Sequence, residues 1–171
     1  MSKIYFISGV CGVGKSTIIP HLKKMLSKKE YRVFDFDERG VPEKANREWR
    51  ISESKYWVEK GLEFTKENVS TIVCGFVKTT DLPAEVDVEL ILLDIEPEIL
   101  RQRLIGRYTK NGIFDQSQKV IGRSVDEFIE SNIYILGQMR KMFQEKNSAI
   151  IDTSSLTPEE VANGVAELII K

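Results

Sequence analysis

The sequence predicts an α/β fold in which a parallel sheet is covered by helices on both faces. Three observations carry this. Short apolar runs of strand length alternate with longer stretches of helical period along all 171 residues. A glycine loop of the form GxxxxGKS sits between the first run and the first helix. Several of the runs end in an acid or a glycine, as strands do when they deliver functional groups at one edge of a sheet.

The length suits one domain, residues 1–171. With 42% hydrophobic and 30% charged residues and a net charge of −1, the chain is ordinary in composition and shows no basic excess that would suggest nucleic acid. Cys11 and Cys74 form no CxxC pair, and His21 is the only histidine, which argues against zinc and for a cytoplasmic protein with free thiols. No apolar run is long enough for a spanning helix, and Met1 to Ile7 lacks the apolar core of a leader. No membrane or nucleic-acid partner is expected, and the oligomeric state is open.

Lys3 to Ser8 reads as the first strand and Lys15 to about Ser27 as the first helix, with Ile18, Ile19, Leu22, Met25 and Leu26 buried. Between them lie Gly9, Val10, Cys11, Gly12, Val13 and Gly14, followed by Lys15, Ser16 and Thr17. Glycine lets the backbone curl closely enough for its N–H groups to wrap a phosphate chain, and the helix start adds unpaired N–H groups and a positive dipole end. Lys15 then reaches the terminal phosphates and the Ser16 hydroxyl ligates a magnesium ion riding on them, which makes a nucleoside-triphosphate site.

Tyr31 to Asp37 reads as a second strand ending in two acids, Asp35 and Asp37, on one side of an extended segment. From Pro42 to about Asn68 the chain is helical and charged, with Gly61 expected to break or kink it; Trp49 and Trp57 read as packing residues. Ser70 to Gly75 is a buried strand, with Gly75 allowing close approach by a ligand or a neighbouring loop. The apolar strand Val88 to Leu93 ends in Asp94, and Pro97 opens a helix that carries Arg103 and Arg107 on one face near its end. Ser124 and Thr157 head capping boxes of two further helices, and Ala149 to Thr153 is a fifth strand.

Taken together, Gly9 to Thr17, the acids of Asp35-Phe36-Asp37, Gly75, the Arg103 and Arg107 helix end, and Asp152-Thr153-Ser154 leading to Thr157-Pro158 resemble the P-loop small-molecule kinases, which include shikimate, gluconate, adenylylsulfate and nucleoside monophosphate kinases. The resemblance spans almost the whole chain. It implies a three-layer α/β/α domain with a five-stranded parallel sheet ordered 2-3-1-4-5, a substrate-binding region at about residues 38–68 and a short lid at about 108–123. By similarity, Asp35 would help hold magnesium and Asp37 would meet the acceptor hydroxyl. Arg103 and Arg107 would face ATP, Thr153, Ser154 and Ser155 would lie near the adenine, and Arg47 and Arg50 would anchor substrate beside Gly75. Asp94 competes with Asp35 for the metal, since it also ends an apolar strand.

The expected activity is transfer of the γ-phosphoryl group of ATP, with Mg2+, to a hydroxyl or phosphate of a small metabolite or nucleotide. Lys15, Arg103 and Arg107 supply positive charge and Asp37 orients the acceptor. The alternative is an ATP-binding or hydrolysing switch module without a metabolite acceptor; no NKxD sequence suggests a guanine-reading one.

Overall fold

The computed structural model describes residues 2–43, 45–108 and 124–170. Its five strands are β1 (Ile4–Ser8), β2 (Tyr31–Asp35), β3 (Ser70–Gly75), β4 (Glu89–Asp94) and β5 (Ala149–Asp152). They form one parallel sheet in the order β2-β3-β1-β4-β5, as the resemblance implies. The helices among the described residues are α1 (Lys15–Met25), α2 (Arg47–Lys66), α3 (Pro97–Tyr108), α4 (Val125–Glu145) and α5 (Pro158–Ile170). Of the region 108–123 expected to form a lid, only Tyr108 lies within the described residues.

The period of two in β1 sorts its side chains to the two faces of the sheet. Tyr5 and Ile7 pack with α1 and α5, and the Tyr5 hydroxyl donates to Ile169 O at 3.4 Å. Ile4 and Phe6 face the other way, toward Trp57 and Val58 of α2. β1 is buried at every position because it is central and covered on both sides. None of the helices among the described residues is long and apolar enough to cross a membrane.

Two local expectations are corrected. Gly61 does not break α2, which runs unbroken from Arg47 to Lys66. A Cβ at Gly61 would lie 2.7 Å from Ile4 Cδ1, so the missing side chain lets the helix settle onto β1. The second strand stops at Asp35, and Asp37 stands in a turn where Glu38 N donates to Asp35 O and Gly40 N to Asp37 O. Asp37 N also donates to Asp35 Oδ1 at 3.0 Å, so the first acid folds the chain that presents the second.

The capping boxes form as expected. Ser124 and Glu127 cap α4 reciprocally, and Thr157 and Glu160 do the same for α5. α2 begins later than expected, because Asn46 Oδ1 accepts from Trp49 N at 2.9 Å and fixes the start there. Trp57 is a packing residue, 2% exposed, with its ring N–H donating to Phe36 O at 3.1 Å.

Candidate active site

The parallel order sets the carboxyl ends of β2, β3, β1 and β4 side by side, and the chain's chemistry gathers there. Beyond β1 the glycine loop turns through two left-handed residues, Gly12 at φ 90° and Gly14 at φ 100°, which side chains would strain. Gly14 is the residue before α1, where no side chain caps the helix, so the first N–H groups of α1 are left for a ligand. Ser16 and Thr17 lie exposed on that first turn.

Lys15 reaches back across the loop and donates from Nζ to Val10 O at 2.8 Å. Burial pushes its pKa below the ordinary lysine value, opposed by the fields of nearby groups that include Asp37 and Asp35. Asp37 is pushed up, first by desolvation and then by Asp35, while Lys15 pulls it down. Its residue is exposed, yet the neighbouring atoms still cost its charge some hydration. Lys15, Asp35 and Asp37 therefore share one electrostatic site, formed from the ends of β1 and β2.

The third wall comes from β3. A Cβ at Gly75 would fall 2.1 Å from Phe36 Cβ, so the close approach this glycine permits is that of the turn carrying the acid pair. Ser8, at the end of β1, fixes the next residues: its hydroxyl donates to Val77 O at 2.6 Å and accepts from Val77 N at 2.9 Å. Cys74 is inert, since burial pushes its thiol up to about 12.

Arg103 and Arg107 project from α3 toward the loop's other side. Arg103 donates to Thr153 O at 2.7 Å, and Arg107 Nη1 lies 3.5 Å from Cys11 Sγ. Thr153 is buried and bound through N and Oγ1 to Asp94 O, while Ser154 Oγ accepts from Glu96 N. Gly12, Val13, Gly14, Thr17, Arg103 and Thr153 border a cavity of about 310 Å³ beside the glycine loop. A larger depression of about 1280 Å³ lies at the opposite end of the strands, around Lys3, Glu89 and Lys146, away from this chemistry.

Arg47 and Arg50 stand on the first turn of α2, where both are drawn to one buried acid. Their Nε atoms lie 3.6 and 3.7 Å from the carboxylate of Asp81. The Arg50 guanidinium also sits 5.5 Å from the ring centre of Phe76, which follows Gly75. Asp81 lies in the short 3-10 turn Thr79–Asp81, and no motif marks it in the sequence. Arg39, Glu53 and Tyr56 extend this wall: Arg39 donates to the buried Glu53 at 3.0 Å and covers the Tyr56 ring at 3.6 Å.

Asp94 is spoken for. Arg140 Nε donates to both its oxygens at 2.8 and 3.0 Å, Ile95 N donates to Oδ1 at 2.8 Å, and Arg140 Nη2 donates to Ile95 O. Among the described residues Asp35 forms no ion pair with an arginine or lysine; its carboxylate accepts from Asp37 N, and its charge bears on Lys15 and Asp37. Among the described residues no group of three or more His, Cys, Asp or Glu side chains could hold an ion unaided. That donor set fits magnesium carried on phosphate oxygens, with one hydroxyl and one carboxylate from the protein.

No family model matches the chain. It is 29% identical over 170 residues to a protein of Pyrococcus furiosus, covering 97% of this chain and 83% of that one. A protein of Thermococcus gammatolerans is 26% identical over 169 residues, covering 98% and 86%. Both carry the name "Putative adenylate kinase". Among solved structures, shikimate kinase from Acinetobacter baumannii in complex with shikimate superposes with a TM-score of 0.60 at 16% identity, covering 99% of this chain and 93% of that one. The tunicamycin resistance protein of Deinococcus radiodurans gives 0.63 at 17% identity, covering 99% and 96%. The chain has the α/β fold of the P-loop kinases, and its likeness to the P-loop small-molecule kinases runs over almost its whole length.

Proposed function

We propose that the protein is an ATP-dependent small-molecule kinase, transferring the γ-phosphoryl group to a hydroxyl or phosphate of a small metabolite or nucleotide. The observation that carries this is that Lys15 and the acid pair Asp35 and Asp37 follow the carboxyl ends of two strands on either side of β3, close enough for their charges to act on one another. A nucleotide-binding module needs the lysine and the loop; an acid pair facing them is what an acceptor hydroxyl and a magnesium ion require. The relatives' names point the same way.

In this reading the N–H groups from Gly12 to Ser16 bind the phosphates, and Lys15 leaves Val10 O to follow the terminal phosphate. The cavity bordered by Arg103 and Thr153 takes the adenosine side, at the lower end of the volumes typical of small-molecule sites. Ser16 and Asp35 would hold magnesium, whose chemistry is to neutralise charge on the phosphates. Asp37 sits on a turn, without an ion-pair partner among the described residues to lock it, and holds the acceptor hydroxyl in line while taking up its proton. Arg107, beside Cys11, supplies charge at the phosphate end. Arg50, steadied by Asp81 and Phe76, and Arg47 form the acceptor wall.

The test is ATP consumption with and without a panel of hydroxylated metabolites and nucleoside monophosphates. A kinase is stimulated strongly by one class of acceptor and yields a phosphorylated product. Turnover indifferent to every acceptor, with phosphate released to water, supports the switch module instead.

A further inference from the structure

The peptide unit joining Val10 to Cys11, at the entry to the glycine loop, is held from both sides. Its carbonyl, Val10 O, accepts from Lys15 Nζ at 2.8 Å. Its N–H, Cys11 N, donates to Asn132 Oδ1 at 3.2 Å, across 121 residues of chain. Asn132 is 7% exposed and shares the inner side of α4 with Val125, Ile129, Leu136, Met139 and Phe143. A polar side chain in such a row is costly unless its hydrogen bonds are met. They are met here: Nδ2 donates to Phe128 O at 2.9 Å, which turns the amide so that its oxygen is the end offered to Cys11. The Tyr108 ring meets that of Phe128 edge-on at 5.5 Å, and its hydroxyl lies 3.9 Å from Cys11 Sγ, closing α3 and α4 around the same peptide.

We propose that Asn132 is a positioning residue of the nucleotide site, fixing the Val10–Cys11 peptide plane and thereby the carbonyl on which the Lys15 ammonium rests. The peptide is planar, so an N–H held on one side sets the direction of the C=O on the other. Lys15 is a long flexible side chain carrying a half-buried charge, and a fixed acceptor is what keeps it in the loop before phosphate arrives. Asn132 itself touches no phosphate. A neutral amide suits the place, because a carboxylate there would add negative charge beside a loop built for anions. The proposal rests on the reading of the loop as a triphosphate site.

Asn132→Leu keeps the branched shape of the side chain and removes the acceptor. Three measurements on the full chain read the result: exchange of the Cys11 amide proton by NMR, acylation of Lys15 in the nucleotide-free protein by mass spectrometry, and ATP binding by calorimetry. Expected are faster Cys11 exchange, acylation of Lys15 faster by about threefold with Lys141 unchanged, and ATP binding weaker by about tenfold, the scale of one lost buried hydrogen bond. Asn132→Asp keeps an acceptor oxygen, so Cys11 stays protected and Lys15 reacts no faster than in the wild type. If the Leu variant does not fold, Asn132→Ser, too short to reach Cys11, takes its place. A folded variant without the acceptor but with unchanged Lys15 reactivity and ATP affinity overturns the proposal, as does an Asp variant in which Lys15 reacts as fast as in the Leu variant. Failure of the wild type to bind ATP would count against the triphosphate site itself, while the exchange and acylation results would still decide the role of Asn132.

Discussion

Replacing Asp94 by Asn separates a structural acid from a metal-binding one. In the structure the Asp94 carboxylate accepts twice from Arg140 and once from Ile95 N, with 19% of its side chain exposed and 34% of that of Arg140. The amide keeps an acceptor for Ile95 N but gives up the charge. Charge-assisted bonds contribute about 1.5–3 kcal/mol and neutral ones about 0.5–1.5. Solvent around a one-third-exposed arginine reduces the difference, leaving about 1 kcal/mol. For a chain of this size that is a fall in Tm of about 2–4 °C. The magnesium concentration giving half-maximal ATP turnover should stay at the wild-type value in Asp94→Asn and rise about tenfold in Asp35→Asn, where a charged ligand is lost. Thermal melts and a magnesium titration of both variants check this. A raised magnesium requirement in Asp94→Asn with an unchanged Tm would show that Arg140 releases Asp94 to the metal and that the assignment to Asp35 is wrong.

Further outcomes follow from the same geometry. Asp37 must be ionised to take a proton, and its folded pKa lies above the ordinary aspartate value through desolvation and Asp35, so the acid limb of the pH–rate profile should sit above 3.8. Because the folded protein holds that proton more tightly, this group lowers stability as pH rises through the same window; Asp37→Asn should remove both effects and leave ATP binding intact. Lys15, with its pKa lowered by burial, binds its proton less tightly when folded, so it costs stability at neutral pH. Lys15→Met should therefore abolish transfer while the nucleotide-free Tm holds or rises. Gly75→Ala forces its new methyl against Phe36 Cβ, at a cost of about 1–3 kcal/mol typical of overpacking. Since Phe36 lies between the two acids, kcat should fall along with Tm. Activity assays paired with melting curves test each variant.

The strands and the glycine loop were legible because their signals are local. Five apolar runs, a GxxxxGKS loop and two capping boxes each lie within a few neighbouring residues, and strands and capped helices form at those places, the second strand ending two residues early. The residues that steady the site carry no such mark. Asn132 reads as one polar residue in a helix until α4 packs beside the loop, and its partner is 121 positions away. Asp81 is an acid in a loop until α2 brings Arg47 and Arg50 beside it. Arg140 likewise gives no hint that it occupies Asp94. Gly61 misled for the same reason: a glycine in a helical stretch signals weakness from within the helix, whereas its use here is set by Ile4 on β1. The turn at Asp37 was hidden because Val33 to Asp37 alternates like a strand, while the Asp35 carboxylate and the backbone bonds of Glu38 and Gly40 bend the chain out of the sheet.

In the proposed function the glycine loop and the acid pair work together to deliver phosphate to an acceptor. The most direct measurement follows γ-labelled ATP with wild-type protein and Asp37→Asn across the acceptor panel. Label should enter one class of small-molecule product, and this should be lost in Asp37→Asn while ATP binding persists. Label released only as inorganic phosphate, at the same rate in both proteins, would contradict it.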